Sequence, residues 1–248
     1  MNKLIKLSKK VVNILFPNDN RCIFCDDEIF DIKSGICENC YKTLPFVNKT
    51  CNICGQEISD MGNLCLSCKK SSKKFYTRAF APFRYEGNVV KVVHNLKYHN
   101  QKWLGDYLSK IMYDYILKFK DVKFDLVIPI PLNENRKKER GYNQSRLLCN
   151  EFEKQGYEIN EDCIIRVKNT TSQTNFSSSE RQENMKGAFM VKDKEILKNK
   201  NVLIIDDVYT TGATMNELCE TLRKTKVVNI YCLTLAHVVK PILTETNK

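Results

Sequence analysis

The sequence predicts a parallel α/β sheet flanked by helices, preceded by a small cysteine-rich domain. Three observations carry that expectation. Short, uniformly apolar runs such as DLVIPI (125–130) alternate with helical patterns, which is how a parallel sheet with crossover helices reads. One such run, VLII (202–205), leads into two adjacent carboxylates and then a loop of hydroxyls with one glycine. Eight of the twelve cysteines fall as four C-x-x-C pairs in the first third of the 248-residue chain.

At the N-terminus, Lys3, Lys6, Lys9 and Lys10 interleave with Leu4, Ile5, Leu7, Val11, Val12, Ile14 and Leu15. That is helical amphipathic spacing without a signal-peptide cleavage site, and it predicts a docking helix over 1–16, with a membrane-surface or nucleic-acid-binding helix as the sharper alternative. No apolar run reaches membrane-spanning length. The formal charge of +11 points to anionic partners, phosphates or nucleic acid, as readily as to a plain lysine-rich surface.

After Pro17 the cysteine pairs follow at Cys22/Cys25, Cys37/Cys40, Cys51/Cys54 and Cys65/Cys68. Two thiolate pairs make a tetrahedral S4 site that suits zinc, and four pairs suit two closed, structural Zn2+ ions. An iron–sulfur cluster fits the regular spacing less well, and redox C-x-x-C motifs come singly beside a strand. Sequential pairing closes the shortest loops and costs least entropy; crossed pairing stays open. Gly55 follows Cys54 where a knuckle turns tightly. Thiols kept as metal ligands also fit a reducing, cytoplasmic compartment. The segment 17–74 is therefore expected to be a double zinc ribbon, ending in the polar linker KKSSKK (69–74) before an α/β domain over 75–240.

In that domain 75–85 reads as a strand or hairpin broken at Pro82. One helix should follow with Val89, Val92, Val93 and Leu96 on its buried face, and another with Leu104, Leu108, Ile111 and Tyr115. DLVIPI is a buried strand, and the run after it is a basic loop holding Arg136, Lys137, Lys138, Arg140, Tyr142, Asn143 and Gln144, able to neutralise a pyrophosphate. Leu147, Leu148 and Phe152 mark a helix. A strand over 163–167 precedes a long polar loop, 168–179, of the length expected for a functional lid, and a polar helix precedes Gly187. Further strands are expected over 202–205 and 227–235. Cys149, Cys163, Cys219 and Cys232 belong to no motif and read as buried thiols.

The stretch VLIIDDVYTTGAT (202–214) carries the chemistry. A strand buried on both faces would deliver Asp206 and Asp207 to the carboxyl end of the sheet, where ligands bind in open α/β folds. Thr210, Thr211, Gly212, Ala213 and Thr214 then offer hydroxyls and N–H groups at a helix N-terminus, a phosphate cradle. There is no Walker lysine and no three-glycine fingerprint. A ribose 5-phosphate, with its hydroxyls on the acids and its phosphate on the loop, fits this order of groups. An ordinary Asp/Thr helix cap is the plainer alternative.

This stretch resembles the phosphoribosyl-pyrophosphate (PRPP) motif of type I phosphoribosyltransferases. Together with ILFPNDNRC and the four C-x-x-C pairs, LKYHN, IPIPLNENRKKERGYNQ and RVKNTTSQTNFSSSERQENMKGAF, nearly the whole chain resembles the competence-associated ComF/ComFC family. The resemblance implies a type I phosphoribosyltransferase-like sheet behind the ribbons. It implies PRPP with Mg2+ at Asp206, Asp207 and the 210–214 loop, with Lys97, Arg136 and Arg140 on the pyrophosphate side. Gln173, Arg181 and Asn184 match the family's segment before GAF, the flexible hood loop, and Phe176 departs from the expected leucine. The resemblance also implies a role in DNA uptake, with single-stranded DNA and the uptake machinery as partners. A binding protein that keeps the fold without the chemistry, and a base-salvage enzyme, are the alternatives. No general base stands out, so the acceptor stays open.

Overall fold

The computed structural model describes residues 21–29, 35–58, 62–70, 73–168 and 178–239. The expected N-terminal helix over 1–16 lies outside them, as do Gln173 and Phe176. The chain divides between Leu44 and Pro45 into two compact units.

In the smaller unit, Cys22, Cys25, Cys37 and Cys40 converge, with all four sulfurs within 4.8 Å of one another. The turn after Cys25 closes through an Asp26 N–H to Cys22 carbonyl bond of 2.9 Å, with Asp26 in the left-handed region at φ 69°. Cys37 caps the short helix α1 (Glu38–Thr43), its sulfur accepting from the Cys40 N–H. Among the described residues of this unit the large buried apolar side chains are few, Ile23, Phe24, Ile29 and Leu44 among them, which fits a fold that draws on a metal for stability.

The larger unit begins with the same device. Cys51, Cys54, Cys65 and Cys68 form a second cluster of the same span, which makes the pairing sequential in both ribbons. Gly55 repeats the left-handed turn at φ 71°, and its N–H bonds the Cys51 carbonyl at 3.0 Å. A Cβ at Gly55 would lie 2.7 Å from the carbonyl oxygen of Ala79, so this knuckle presses against the first strand of the sheet. The Ala79 N–H donates to Ile53 O at 2.7 Å across the same contact. The short helix α2 (Leu66–Lys69) starts at Cys65.

Strands β1 (Arg78–Phe80) and β2 (Phe83–Arg84) are one edge strand interrupted at Pro82, since both pair in parallel with the last strand rather than with each other. Helix α3 (Gly87–Tyr98) buries Val89, Val92, Val93 and Leu96, the expected face. Helix α4 (Leu104–Ile116) buries Leu104, Leu108, Met112 and Ile116, so Ile111 and Tyr115 lie on its half-buried flank instead. Strand β3 (Leu126–Pro129) is wholly buried. The basic run that follows is a helix rather than a loop, α5 (Glu134–Arg140). Asn133 caps it by accepting from the Arg136 N–H, and Gly141 ends it at φ 72°. Two short helices, α6 (Gln144–Leu147) and α7 (Asn150–Lys154), lead to edge strand β4 (Glu158–Ile159).

Strand β5 (Ile164–Arg166) does not join the parallel sheet. Across helix α8 (Ser178–Met185) it pairs antiparallel with β6 (Phe189–Val191) in a separate two-stranded ribbon. Strand β7 (Val202–Tyr209), helix α9 (Ala213–Arg223) and strand β8 (Ile230–His237) complete the unit. The parallel order is β1-β8-β7-β3-β4, with β7 between β8 and β3. Val202 to Ile205 are each fully buried, as a central strand covered by helices on both faces requires. Cys149, Cys163, Cys219 and Cys232 are all buried. Among the described residues no helix is long and apolar enough to cross a membrane.

Because the second ribbon packs directly on β1, Cys54→Ser should weaken the whole larger unit. The expected loss is about 3 kcal/mol, or roughly 10 °C of its melting temperature, whereas Cys40→Ser should leave that transition within about 2 °C. Calorimetry of the two full-length variants checks this, and equal effects would refute it.

Candidate functional site

The site begins where β3 stops. The Ile130 N–H makes the last bond to β7, at 2.9 Å to Ile205 O, and the next residue is Pro131, which has no N–H to continue the ladder. Strand β7 runs on beside β8 alone, pairing Asp206 with Thr234, Val208 with Ala236 and Tyr209 with His237. The chain leaves β3 for β4 on one side and leaves β7 for β8 on the other, so the crevice between β3 and β7 is a topological switch point. The paired strand thus extends four residues beyond the expected end at Ile205, and the carboxylates sit on it rather than in a turn.

A cavity of about 220 Å3 opens in this crevice. Asp206 and Asp207 line it together with Thr210, Thr211, Ala213 and Thr214 from the loop and the first turn of α9. Arg136 and Arg140 enter from α5, Lys97 from the end of α3, and Arg181 and Asn184 from α8. Every expected site residue among the described ones therefore meets at one cavity, except Gly212. Gly212 adopts φ 77°, and a Cβ there would collide with the Tyr209 hydroxyl. Its bare Cα makes room for the Tyr209 ring beneath the loop.

The carboxylates are differently held. Asp207, 4% exposed, accepts from Lys97 Nζ at 2.6 Å on Oδ1 and from Gln144 Nε2 at 2.8 Å on Oδ2. Burial opposes the charge on Lys97, but Asp207 and then Asp206 more than offset it, and its pKa lies above that of an ordinary lysine. Asp206 accepts on Oδ1 from Ser145 Oγ at 3.0 Å and from the Asp207 N–H at 2.9 Å. Burial and then the Asp207 charge push its carboxyl up to about 7, against the pull of Lys97.

Ser145, which holds Asp206, and the lining residue Arg166 carry no expectation from the sequence, and Gln144 is expected only as one member of a basic loop. Gln144 and Ser145 open α6, whose cap Asn143 accepts from the Ser145 N–H and donates to Ile130 O at 3.0 Å. The signal was present, an asparagine before a short apolar run, but the basic run hid it. Arg166 reaches the cavity from β5, its pKa lowered by burial and then by Arg136, and Met185 from α8. Nothing in a lone arginine on a short strand marks it as facing a site on another sheet.

An α/β domain with acids and a helix N-terminus at this switch point, behind cysteine ribbons, defines a class: a phosphoribosyltransferase-type domain fused to a double zinc ribbon. Residues 152–244 match the phosphoribosyl transferase domain family and residues 11–69 the double zinc ribbon domain family. The chain belongs to the ComF/ComFC family. It is 31% identical over 228 residues to competence protein F of Haemophilus influenzae, spanning 87% of this chain and 96% of that protein. DNA utilization protein YhgH of Escherichia coli K12 is 25% identical over 206 residues, 80% of this chain and 89% of that one. Competence protein ComFC of Bacillus subtilis is 24% identical over 209 residues, covering 82% and 78%.

The raised Asp206 pKa has a definite sign. Below about pH 4 folded and unfolded chains both carry this proton; between there and about 7 only the folded chain does, so stability falls as pH rises through that window. Asp206→Asn, which keeps an acceptor for Ser145, should gain about 2 kcal/mol over wild type at pH 8 and nothing at pH 4. Urea unfolding at both pH values measures the difference; a gap independent of pH would rule the assignment out.

Proposed function

We propose that this cavity binds PRPP with Mg2+ and that the chain is a phosphoribosyltransferase serving DNA uptake or utilisation. One observation carries the reading: two carboxylates, a hydroxyl-lined helix N-terminus and the guanidinium groups of Arg136, Arg140, Arg166 and Arg181 line a single cavity. That is the charge pattern of a sugar phosphate whose other end is a pyrophosphate. Asp206 and Asp207 accept hydrogen bonds from the ribose hydroxyls, and Thr210 to Thr214 take the 5-phosphate with hydroxyls and the positive end of α9. Arg136 and Arg140 hold the pyrophosphate.

Transfer breaks the bond from C1 of the ribose to the pyrophosphate oxygen and forms one from C1 to an acceptor nucleophile, through an oxocarbenium-like transition state. Negative charge grows on the leaving group, where two preorganised guanidinium groups lower its energy without reorganising water. Mg2+ bound with PRPP would neutralise pyrophosphate charge. The segment containing Arg181 and Asn184 contributes to the wall that keeps water from C1. The names of the relatives, competence and DNA utilization proteins, support a place in DNA handling. With the net charge of +11, they also keep single-stranded DNA as a partner or acceptor.

PRPP with Mg2+ at one hundred times its Kd should stabilise the wild-type chain by about 2.7 kcal/mol, read as a rise in melting temperature. The Asp206→Asn/Asp207→Asn double variant should show no rise. A rise of equal size in the double variant would place the ligand elsewhere.

A further inference from the structure

We propose that Gln144 is a positioning residue that couples the ribose end of the cavity to the pyrophosphate end. The inference rests on the PRPP reading and adds to it a specific physical link between the two halves of the ligand.

Gln144 is 4% exposed, and both ends of its amide are used inside the site. Its Oε1 accepts from Arg140 Nη1 at 2.8 Å, and its Nε2 donates to Asp207 Oδ2 at 2.8 Å. The polarity of these bonds leaves no choice of orientation: a guanidinium only donates and a carboxylate only accepts, so the carbonyl must face Arg140 and the NH2 must face Asp207. The line continues at both ends. Lys97 Nζ holds the other Asp207 oxygen at 2.6 Å, and Arg140 Nη2 donates to the Tyr98 hydroxyl at 3.3 Å, with its guanidinium 4.9 Å from the Tyr98 ring centroid. One file of bonds therefore runs from the residue assigned to the ribose hydroxyls to a residue assigned to the pyrophosphate.

The backbone under Gln144 is anchored as well. Asn143 caps α6 and ties it to the Ile130 carbonyl at the end of β3. The side chain thus spans two groups from a fixed base, so that the position of one is passed to the other. A pyrophosphate that draws Arg140 into place sets the amide, and the amide sets the Asp207 carboxylate for the ribose hydroxyls. The two half-ligands should then bind cooperatively, and PRPP, which carries both, should bind more tightly than either half implies. A glutamine amide accepts from a guanidinium at one end and donates to a carboxylate at the other without any change of charge.

The test titrates the full-length, zinc-loaded protein calorimetrically, in Mg2+, with PRPP, ribose 5-phosphate and inorganic pyrophosphate. In wild type, saturating ribose 5-phosphate should tighten pyrophosphate binding about five- to tenfold. In Gln144→Leu that factor should fall to about one, with each half-ligand alone bound within about threefold of wild type and PRPP weakened about tenfold or more. Gln144→Asn keeps an amide but cannot span the gap, and should behave like the leucine variant. Gln144→Glu should be weak at pH 8, where its carboxylate opposes Asp207. Measured against wild type at each pH, since Asp206 titrates in the same range, it should recover PRPP binding toward pH 5.5, where a protonated carboxyl accepts and donates as the amide does; a merely structural role predicts no such relative recovery.

If PRPP binds wild type but the halves show no coupling, or if the leucine and asparagine variants keep it, the proposal is wrong and the PRPP reading stands. If wild type binds none of the three, that reading falls and the coupling with it.

Discussion

The site depends on the early end of β3. Pro129 and Pro131 bracket Ile130, so the ladder between β3 and β7 has a last donor and cannot go further. Strands β7 and β8 are not limited in this way and run on together to Tyr209 and His237. The mismatch in length opens the crevice and leaves Asp206 and Asp207 on a strand that is still held by β8. A rigid, paired backbone under two acids is a more exact platform than the turn expected after Ile205. A longer β3 would close the crevice and bury both carboxylates without solvent or ligand.

Two neighbouring acids in a crevice are costly to hold, and the larger unit meets that cost unequally. Asp207 is matched on both oxygens, by an ammonium and an amide, whereas Asp206 is bonded by a hydroxyl and a backbone N–H and feels the Lys97 charge without a direct ion pair among the described residues. Arg136 and Arg166 both line the cavity, and the charge of Arg136 lowers the pKa of Arg166 after its burial. The site therefore gathers two acids and several guanidinium groups around one cavity. A ligand that offers hydroxyls to the first and anionic oxygens to the second suits both, which is why the charge pattern is informative about the ligand and uninformative about the acceptor.

How much of this was legible in the sequence follows from what each residue depends on. The cysteine clusters, the buried face of α3 and the acids before the hydroxyl loop were readable because spacing along the chain decides them. The run from Arg136 to Arg140 read as a loop because its charges masked the cap at Asn133 and the stop at Gly141. The buried face of α4 was misplaced by part of a turn: Ile111 and Tyr115 are apolar enough to belong to it, but the partner surface takes Met112 and Ile116. Strand β5 was found and its partner was not, since an antiparallel mate on the far side of α8 leaves no periodic mark. Gln144 is the clearest case. An amide among lysines and arginines has no meaning until the fold sets Arg140 on one side of it and Asp207 on the other.

The contacts of the second ribbon show why a metal cluster and this α/β domain share one chain. Gly55 meets the Ala79 carbonyl, and Ile53 accepts from the Ala79 N–H, so the knuckle acts as a further layer on the edge of the sheet. Three residues earlier, the Tyr76 hydroxyl bonds the Tyr209 hydroxyl at 2.7 Å in the core, and the Tyr209 ring stacks on His237 at 4.4 Å. That same ring fills the space beneath Gly212. The N–H of Phe75 meets Asn216 of α9 at 3.1 Å, which ties the same segment to the helix behind the loop. Four cysteines closed around a zinc ion would make a rigid body out of a stretch poor in apolar side chains. The knuckle at Cys51–Gly55 is linked to the hydroxyl loop through β1, Tyr76 and Tyr209 by direct packing. The loop needs that support because its own backbone is held by a left-handed glycine and few bonds, and a phosphate cradle works only if its donors are in place before the anion arrives.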